Sequence, residues 1–550
     1  MKQEAAFILQ NGAIYDPQNR SRFFKGTTIS QNIPLEDAPS FFQSLRDKGI
    51  NLLLWQITWD SIEPEEPEKY DEEYLAQLRL VLKYAEDYDI SIIMQPVMKG
   101  WNKLAGGVGA PDWTLKTIGI DSEKLSKSIE TAQNFIQENK LPKTTENPII
   151  KYVKDTMFTL FWAGKDFAPD LLIEGDNIQD YLQTKYIDAM KHTARRIKDC
   201  KSVIGFSCMN GAEKGFVDLA TLLGKEENPI TIKIKADYGL SSFEAIKAAN
   251  GYKAEFVKQG TNLPLLKQTG NLTLALEENI FMEGKQCPWK NSLWSLDENQ
   301  NILLNKDKYF CSTNENSFAQ KYYKTFQQDF VAGFQKKRGH YIFLSEPANG
   351  NEKVQWIVGE FDSDRNSMVE KEGGVLPDFD IEAAKIIAAY NIPKVAKTIT
   401  GQIDIKDFEK KFDSEMNLAK KIGIPVLGIM SEQLNANLND FYENHFESYV
   451  FKDTDFVSPY PIAINGKLQK IKIEHNTNPS FEMQWESVPV SAEADPENAT
   501  EIFIPKELFP DGWKVELFEG VGTVACEPEK NRLYITTLTA QKCTVKVVSD

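Results

Sequence analysis

Histidine is scarce in this chain. Only His192, His340, His445 and His475 occur in 550 residues, and they are scattered without metal-ligand spacing. Zinc and iron sites draw on clustered imidazoles, thiolates and carboxylates, so no metal centre is expected. No motif calls for another cofactor. Cysteine is scarce too: six residues and no C-x-x-C pair, which makes no disulfide scaffold in a chain of this length. Cys287 with Cys311, or Cys526 with Cys543, can pair in an oxidising compartment, but buried free thiols are the plainer reading. No run of eighteen apolar residues is present, so no membrane-spanning helix is expected. No basic amphipathic segment suggests docking on a lipid surface. Positive charge is in deficit, 63 basic against 80 acidic residues for a net −17. Such a surface repels phosphate backbones and argues against nucleic acid as a partner. The opening MKQEAAFILQNGAIYD lacks the apolar core and cleavage site of a secretory signal. A cytoplasmic protein is expected if the chain starts as written, and a secreted one if a signal has been removed.

What is present is ordinary globular material, 41% hydrophobic and 26% charged. The length exceeds one ordinary core, so a large barrel plus a module is expected. Asn11-Gly12 marks a tight hairpin near the start. Eight strand candidates follow, at 24–30, 50–58, 90–97, 202–210, 340–346, 373–379, 424–430 and 447–453. Several are continuously apolar, as strands buried on both faces are. Helical patterns lie between them, such as EEYLAQLRLVLKYAEDY, with Leu75, Leu78, Leu80, Leu82 and Ala85 read as its apolar face. Alternating strands and helices predict an α/β fold, a parallel (β/α)8 TIM barrel over residues 1–455. The stretch 224–339 is too long for one connection and reads as irregular decoration at the strand-end face. From 456 to 550 the segments turn β-branched and aromatic, broken by Asn, Pro and Gly, which predicts a small antiparallel β-sandwich. The acidic run EPEEPEKYDEEY (63–74) reads as a solvated loop and helix start.

The segment IIMQPVMKGWNKLAGGVGAPDWTL (92–115) resembles a strand end of the endoglycoceramidase-like members of glycoside hydrolase family 5. Trp101, Gly106-Gly107, Gly109-Ala110-Pro111 and Trp113-Thr114-Leu115 fall in that family's order without a gap. The segments WDSIEPEEPEKYDEEYL, LFWAGKDFAP, CPWKNSLWSLDENQNILLNKDKYF and FLSEPANG are similar too. VSPYPIAINGK and TEIFIPKELFPDGWKVELFEG resemble its C-terminal sandwich. The resemblance runs nearly end to end and implies retaining β-glycosidase ancestry acting on glycolipids.

Retaining hydrolysis needs two carboxyl groups about 5–5.5 Å apart. The resemblance puts the acid/base glutamate directly after an asparagine at the end of strand four, where Asn210 is followed by Gly211. It puts the nucleophile at the end of strand seven, on Met430 without a gap or on Ile429 with one. The family's supporting arginine aligns with Leu54, its polar set around strand three with Gln95, Val97, Met98 and Lys99, and a histidine near strand six with Asp378. An arginine beside a missing carboxylate would be a buried unpaired charge, so an apolar residue such as Leu54 fits a site whose charge has gone. The fallback carboxylates are Glu213, Glu432 and Glu346. Glu360, in GEFD, superficially matches a nucleophile strand but lies between the fifth and sixth strand candidates.

Trp101, Trp113 and Trp162 can stack on sugar faces or pack at the barrel mouth, and Asn210 can hydrogen-bond a sugar hydroxyl. Three functions follow. The first is a catalytically impaired pseudo-glycosidase that binds a glycan, glycolipid or protein in the former cleft. The second is an active retaining β-glycosidase with relocated carboxylates, and the third a purely structural interaction protein. The barrel alone decides none of them.

Overall fold

The computed structural model describes residues 8–10, 13–29, 33–142, 145–223, 237–259, 272–311, 317–335, 342–345, 354–360, 426–431, 459–474, 478–488 and 498–550. Strands β1 (Ile8–Gln10) and β2 (Ala13–Tyr15) form the expected hairpin, with Gln10 opposite Ala13. β3 (Ser21–Arg22) pairs with β2 and runs on into β4 (Phe24–Ile29), the first strand of the barrel. Helix α1 (Ala38–Asp47) leads to β5 (Leu52–Thr58), and the short α2 (Trp59–Ile62) and α3 (Glu72–Asp87) lead to β6 (Ser91–Val97). A long excursion then carries α4 (Trp113–Thr117), α5 (Ser122–Glu138), α6 (Pro148–Phe167), the small hairpin β7 (Leu172–Ile173) and β8 (Asp176–Asn177), and α7 (Ile178–Arg196). It ends at β9 (Val203–Ser207).

The stretch expected to be irregular holds a meander, β10 (Asp237–Gly239), β11 (Ala254–Gln259) and β12 (Leu272–Leu274), with α8 (Ser242–Ala249) between its first two strands. The hairpin β13 (Trp294–Leu296) and β14 (Ile302–Leu304) follows. After α9 (Lys324–Gln335) come β15 (Ile342–Ser345), β16 (Val354–Glu360) and β17 (Val426–Ser431). Among the described residues seven strands close the barrel in the order β4-β5-β6-β9-β15-β16-β17. Six of the eight predicted strands are among them; those at 373–379 and 447–453 lie outside the described residues.

One barrel strand departs from the expectation. β16 runs antiparallel to both β15 and β17 and fills the wall between them. The segment around Glu360, read from sequence as outside the strand set, is therefore part of the barrel wall. Val354, Trp356, Ile357 and Val358 give it the β-branched and aromatic composition that suits a strand. Helix packing supplies a smaller correction. On α3 the buried residues are Leu75, Leu78, Val81, Leu82 and Ala85, whereas Leu80 is 43% exposed. Leu80 sits two residues from Leu78 and so about 200° round the helix, off the stripe.

Period-2 alternation then divides the barrel strands. Leu53, Trp55 and Ile57 join the core beneath the helices, with Trp55 stacked on Phe42 of α1. Leu52, Leu54, Gln56 and Thr58 have the opposite parity and face the lumen.

The last ninety residues form the expected sandwich. One sheet has four strands in the order β19-β20-β25-β22, where β19 is Gly466–Glu474, β20 Ser480–Ser487, β22 Trp513–Glu519 and β25 Gln541–Ser549. The other contains β18 (Tyr460–Ile464), β21 (Thr500–Phe503), β23 (Gly522–Glu527) and β24 (Arg532–Thr537). Their inner faces share a core that includes Ile464, Phe481, Met483, Trp485, Leu533 and Val545. The second sheet does not stop at β18. β3 pairs with it, Ala463 opposite Arg22, so β1, β2 and β3 extend the sandwich sheet to seven strands. Strands β1, β2 and β3, assigned from sequence to the barrel segment, thus extend the sheet of the C-terminal module. The two modules also lock together directly. The Tyr460 hydroxyl donates to the Gly49 carbonyl at 2.6 Å and Asn531 Nδ2 donates to the Asp47 carbonyl at 3.0 Å, while Lys48 pairs with Glu507.

Candidate functional site

The site expected from the fold is the mouth formed by the C-terminal ends of the barrel strands. The lumen-facing positions of β5, β6 and β9 are Leu52, Leu54, Gln56 and Thr58, then Ser91, Ile93, Gln95 and Val97, then Gly205 and Ser207. None is ionisable. Leu54 and Ile93 are neighbours in register, and both are buried. One turn of register nearer the mouth, Gln56 Nε2 donates to Gln95 Oε1 at 3.2 Å, and Gln95 is fully buried. The Ser207 hydroxyl is also buried and finds no hydrogen-bond partner among the described residues. The floor is therefore apolar at depth and amide-lined above.

At the rim, β6 and β9 stay paired beyond their formal ends. Asn210 N–H donates to the Pro96 carbonyl at 2.7 Å, and Met98 N–H donates to the Asn210 carbonyl at 2.9 Å. Gly211 follows with φ +77°, in the left-handed region that side chains disfavour. A β-carbon there would sit 3.2 Å from both Lys99 Cβ and the Met98 carbonyl. Lys99 has the parity of Gln95 and Val97 and is exposed, so its side chain starts above the lumen in the space next to Gly211.

Glu213 stands two residues beyond Gly211. Its Oε1 accepts the Gly100 N–H at 2.7 Å, and its Oε2 lies 3.4 Å from Lys154 Nζ. Its carbonyl accepts the Trp162 indole N–H at 2.8 Å. The side chain thus holds the loop after β6 against α6, as a loop carboxylate does. Lys154 belongs to a cluster with Glu146 (2.7 Å) and the nearly buried Asp155. Burial pulls its pKa down, but these carboxylates outweigh that and leave it raised.

The three tryptophans named from sequence are all buried. Trp101 donates to Thr114 Oγ1 at 3.0 Å and packs edge-on against Phe158 and Phe161. Trp113 donates to the Glu63 carbonyl at 3.1 Å and meets Trp59 edge-on. Trp162 contacts Phe161, Phe318 and Tyr323. Core packing, one of the two readings weighed from the sequence, describes all three here. The glycine-rich loop works with them: a β-carbon on Gly107 would lie 2.1 Å from the Lys99 carbonyl, so the loop folds flush onto the strand end. Asn210 is half-buried at the rim and remains available to the mouth.

On the opposite wall, register places Met430 opposite Gly26 of β4, which is level with Leu52 of β5. Glu360 ends an antiparallel strand opposite Phe343, with the chain leaving away from the mouth. Glu346, Glu432 and Asp378 lie outside the described residues. None of the six cysteines is in a disulfide; four are buried, and Cys311 and Cys526 are exposed. Among the described residues no His, Cys, Asp and Glu group is arranged to hold a metal.

Two features of the site were not foreseen. Gln56 carries no motif, and only its cross-strand partner identifies it. Glu63, assigned to a solvated run, is fully buried. It accepts the Trp59 indole N–H at 2.6 Å and the backbone N–H of Glu68, and burial raises its carboxyl to about 6. Its position before Pro64 in an acidic stretch disguised it; the adjoining Trp59 was the available signal.

Comparison with known proteins agrees with this architecture. Residues 459–548 match the glycoside hydrolase family 5 C-terminal domain. The chain is 30% identical over 454 residues to the glucosylceramidase of Rhizopus delemar, covering 76% of this chain and 64% of that protein. It is 36% identical over 206 residues to the glucosylceramidase of Aspergillus fumigatus, covering 36% of this chain and 27% of that one. The chain thus spans less than two thirds of the length of these curated relatives. A crystal structure of Cryptococcus neoformans sterylglucosidase 1 superposes with a TM-score of 0.65 at 16% identity, covering 100% of this chain and 98% of that one. At that identity the likeness speaks for the fold, a (β/α)8 barrel with a C-terminal β domain. The terminal domain is thus that of glycoside hydrolase family 5, and the chain as a whole is similar in sequence to fungal glucosylceramidases and in fold to a (β/α)8 barrel with a C-terminal β domain.

Proposed function

We propose that the protein is a glycosidase relative that has lost hydrolysis and binds a glycan or glycolipid in the former cleft. The observation that carries this reading is the backbone of Gly211, the residue that the resemblance puts at the acid/base position. Its left-handed backbone and the adjacent Lys99 β-carbon leave no ordinary place for a glutamate side chain. The lumen-facing positions of β5, β6 and β9, none of them ionisable, support it, because removing a charge-supporting shell along with the charge avoids a buried unpaired ion. The relatives, named for glucosylated ceramide and glucosylated sterol, suggest a lipid glycoside as the ligand class. Asn210 and Gln56, both half-buried, supply hydrogen-bonding groups of the kind such a sugar needs.

An active retaining glycosidase is the second reading, and Glu213 is its fallback carboxylate among the described residues. Against it, both Glu213 oxygens are engaged, one by the Gly100 N–H and one beside Lys154. Hydrolysis of an aryl β-glucoside decides between them. The expected result is no turnover above background, with saturable binding of the intact glucoside. Turnover abolished by Glu213→Gln would establish the active enzyme instead.

A further inference from the structure

Every lumen-facing position of β6 below the rim is neutral, and the next one, Lys99, carries a full positive charge above them. Neighbouring lysines are occupied: Lys103 pairs with Asp60 at 3.3 Å, Lys151 with Asp155 at 2.7 Å and Lys154 with Glu146 at 2.7 Å. Lys99 makes no ion pair among the described residues. Its backbone is fixed on both sides, by the two-way pairing with Val108 and by the close approach of Gly107 to its carbonyl. The side chain therefore leaves from a rigid point, beside the space that a side chain at residue 211 would fill. The Asn210 amide lies along the same rim, since Asn210 pairs in register with Val97.

We infer that the mouth selects a sugar bearing an acidic group, held by the Lys99 ammonium with Asn210 beside it. This deepens the cleft-binding reading above and rests on it. Gly211 has no proton to give a departing aglycone, and the Lys99 ammonium stands beside it. That ammonium can recognise a fixed negative charge through a charge-assisted hydrogen bond, which is stronger than one between neutral partners. The lumen-facing positions of β5, β6 and β9 add no charge to repel the acidic group, and the rim carboxylate Glu213 is offset by Lys154 at 3.4 Å. The chain's net charge of −17 disfavours anions in general, so a preference for an acidic sugar must arise locally, at the rim.

Titration of the whole protein with methyl β-D-glucuronide and methyl β-D-glucoside tests this. The glucuronide is expected to bind about tenfold more tightly at low salt, as a hydrogen bond to a charged group allows. The preference should shrink at high salt. Lys99→Gln should abolish it and Lys99→Glu should reverse it, whereas Lys103→Gln, an exposed lysine on the same loop, should leave it intact. Equal binding of the two glycosides, or a preference that survives Lys99→Gln, would overturn the proposal while sparing the cleft. Binding of neither glycoside would remove the cleft-binding reading together with it.

Discussion

Gly211 turns through a left-handed conformation, and that single torsion governs what a substitution there can do. Adding a side chain in that region costs about 1–2 kcal/mol, before the 3.2 Å approach to the Met98 carbonyl and Lys99 Cβ is counted. Gly211→Glu is therefore expected to lower stability by about that amount in chemical denaturation. It should also leave aryl β-glucoside hydrolysis at background, because its carboxyl would not project as a relaxed strand-end residue does. Recovered turnover in this variant would show that the site lacks only one atom group. The legibility of these residues was uneven. The identities at 54, 95, 97, 99 and 211 could be read from the resemblance, since alignment fixes position. The Gln56–Gln95 bond and the direction of Lys99 could not, because each depends on cross-strand neighbours separated in sequence by about forty and about one hundred residues. For the three tryptophans core packing was already one of the two sequence readings, and they are buried. An indole suits a sugar platform and a core equally well until its N–H partner is known.

Between β5 and α3 the chain is anchored by Glu63, whose carboxylate bridges the Trp59 indole and the Glu68 backbone. Burial, opposed by the Trp59 hydrogen bond, raises its folded pKa from 4.5 to about 6. Protonation thus favours the folded state: this group's contribution is best below pH 4.5 and is lost as pH rises through about 6. The difference is about 2 kcal/mol. Urea titrations of the wild type and Glu63→Gln should show the gap shifting by that amount toward the wild type between pH 7 and pH 4.5. A gap independent of pH would remove Glu63 as its source. Elements of this kind separate what local pattern can tell from what it cannot. β5, β6 and β9 announce themselves as apolar runs because both faces are covered. β16 has a similar composition, yet its antiparallel placement comes from the strands on either side. The fingerprint loop after β6 keeps its spacing because Trp101, Gly107 and Trp113 are scaffold, and scaffold persists when chemistry changes.

The largest feature invisible to local pattern is the alliance of the two ends of the chain. The hairpin at Asn11-Gly12 could be read directly, but its partner β18 could not, since nothing within the hairpin encodes a distant edge. Residues 456–550 alone leave the β18 edge that Arg22 and Ser21 cover unpaired. That fragment is expected to melt broadly or aggregate, as exposed strand edges do. Joining residues 8–22 through a flexible linker should restore a single sharp transition. A fragment that already melts sharply would mean the hairpin is dispensable. The same pairing has a consequence for synthesis. β3 emerges from the ribosome about 440 residues before β18 exists to receive it. At roughly 5–20 residues per second the wait is on the order of 20–90 seconds. Through that interval the nascent barrel carries an unmatched strand edge at its base. Chaperone occupancy of ribosome-bound chains should therefore persist until the final module is made, however early the barrel strands themselves have emerged.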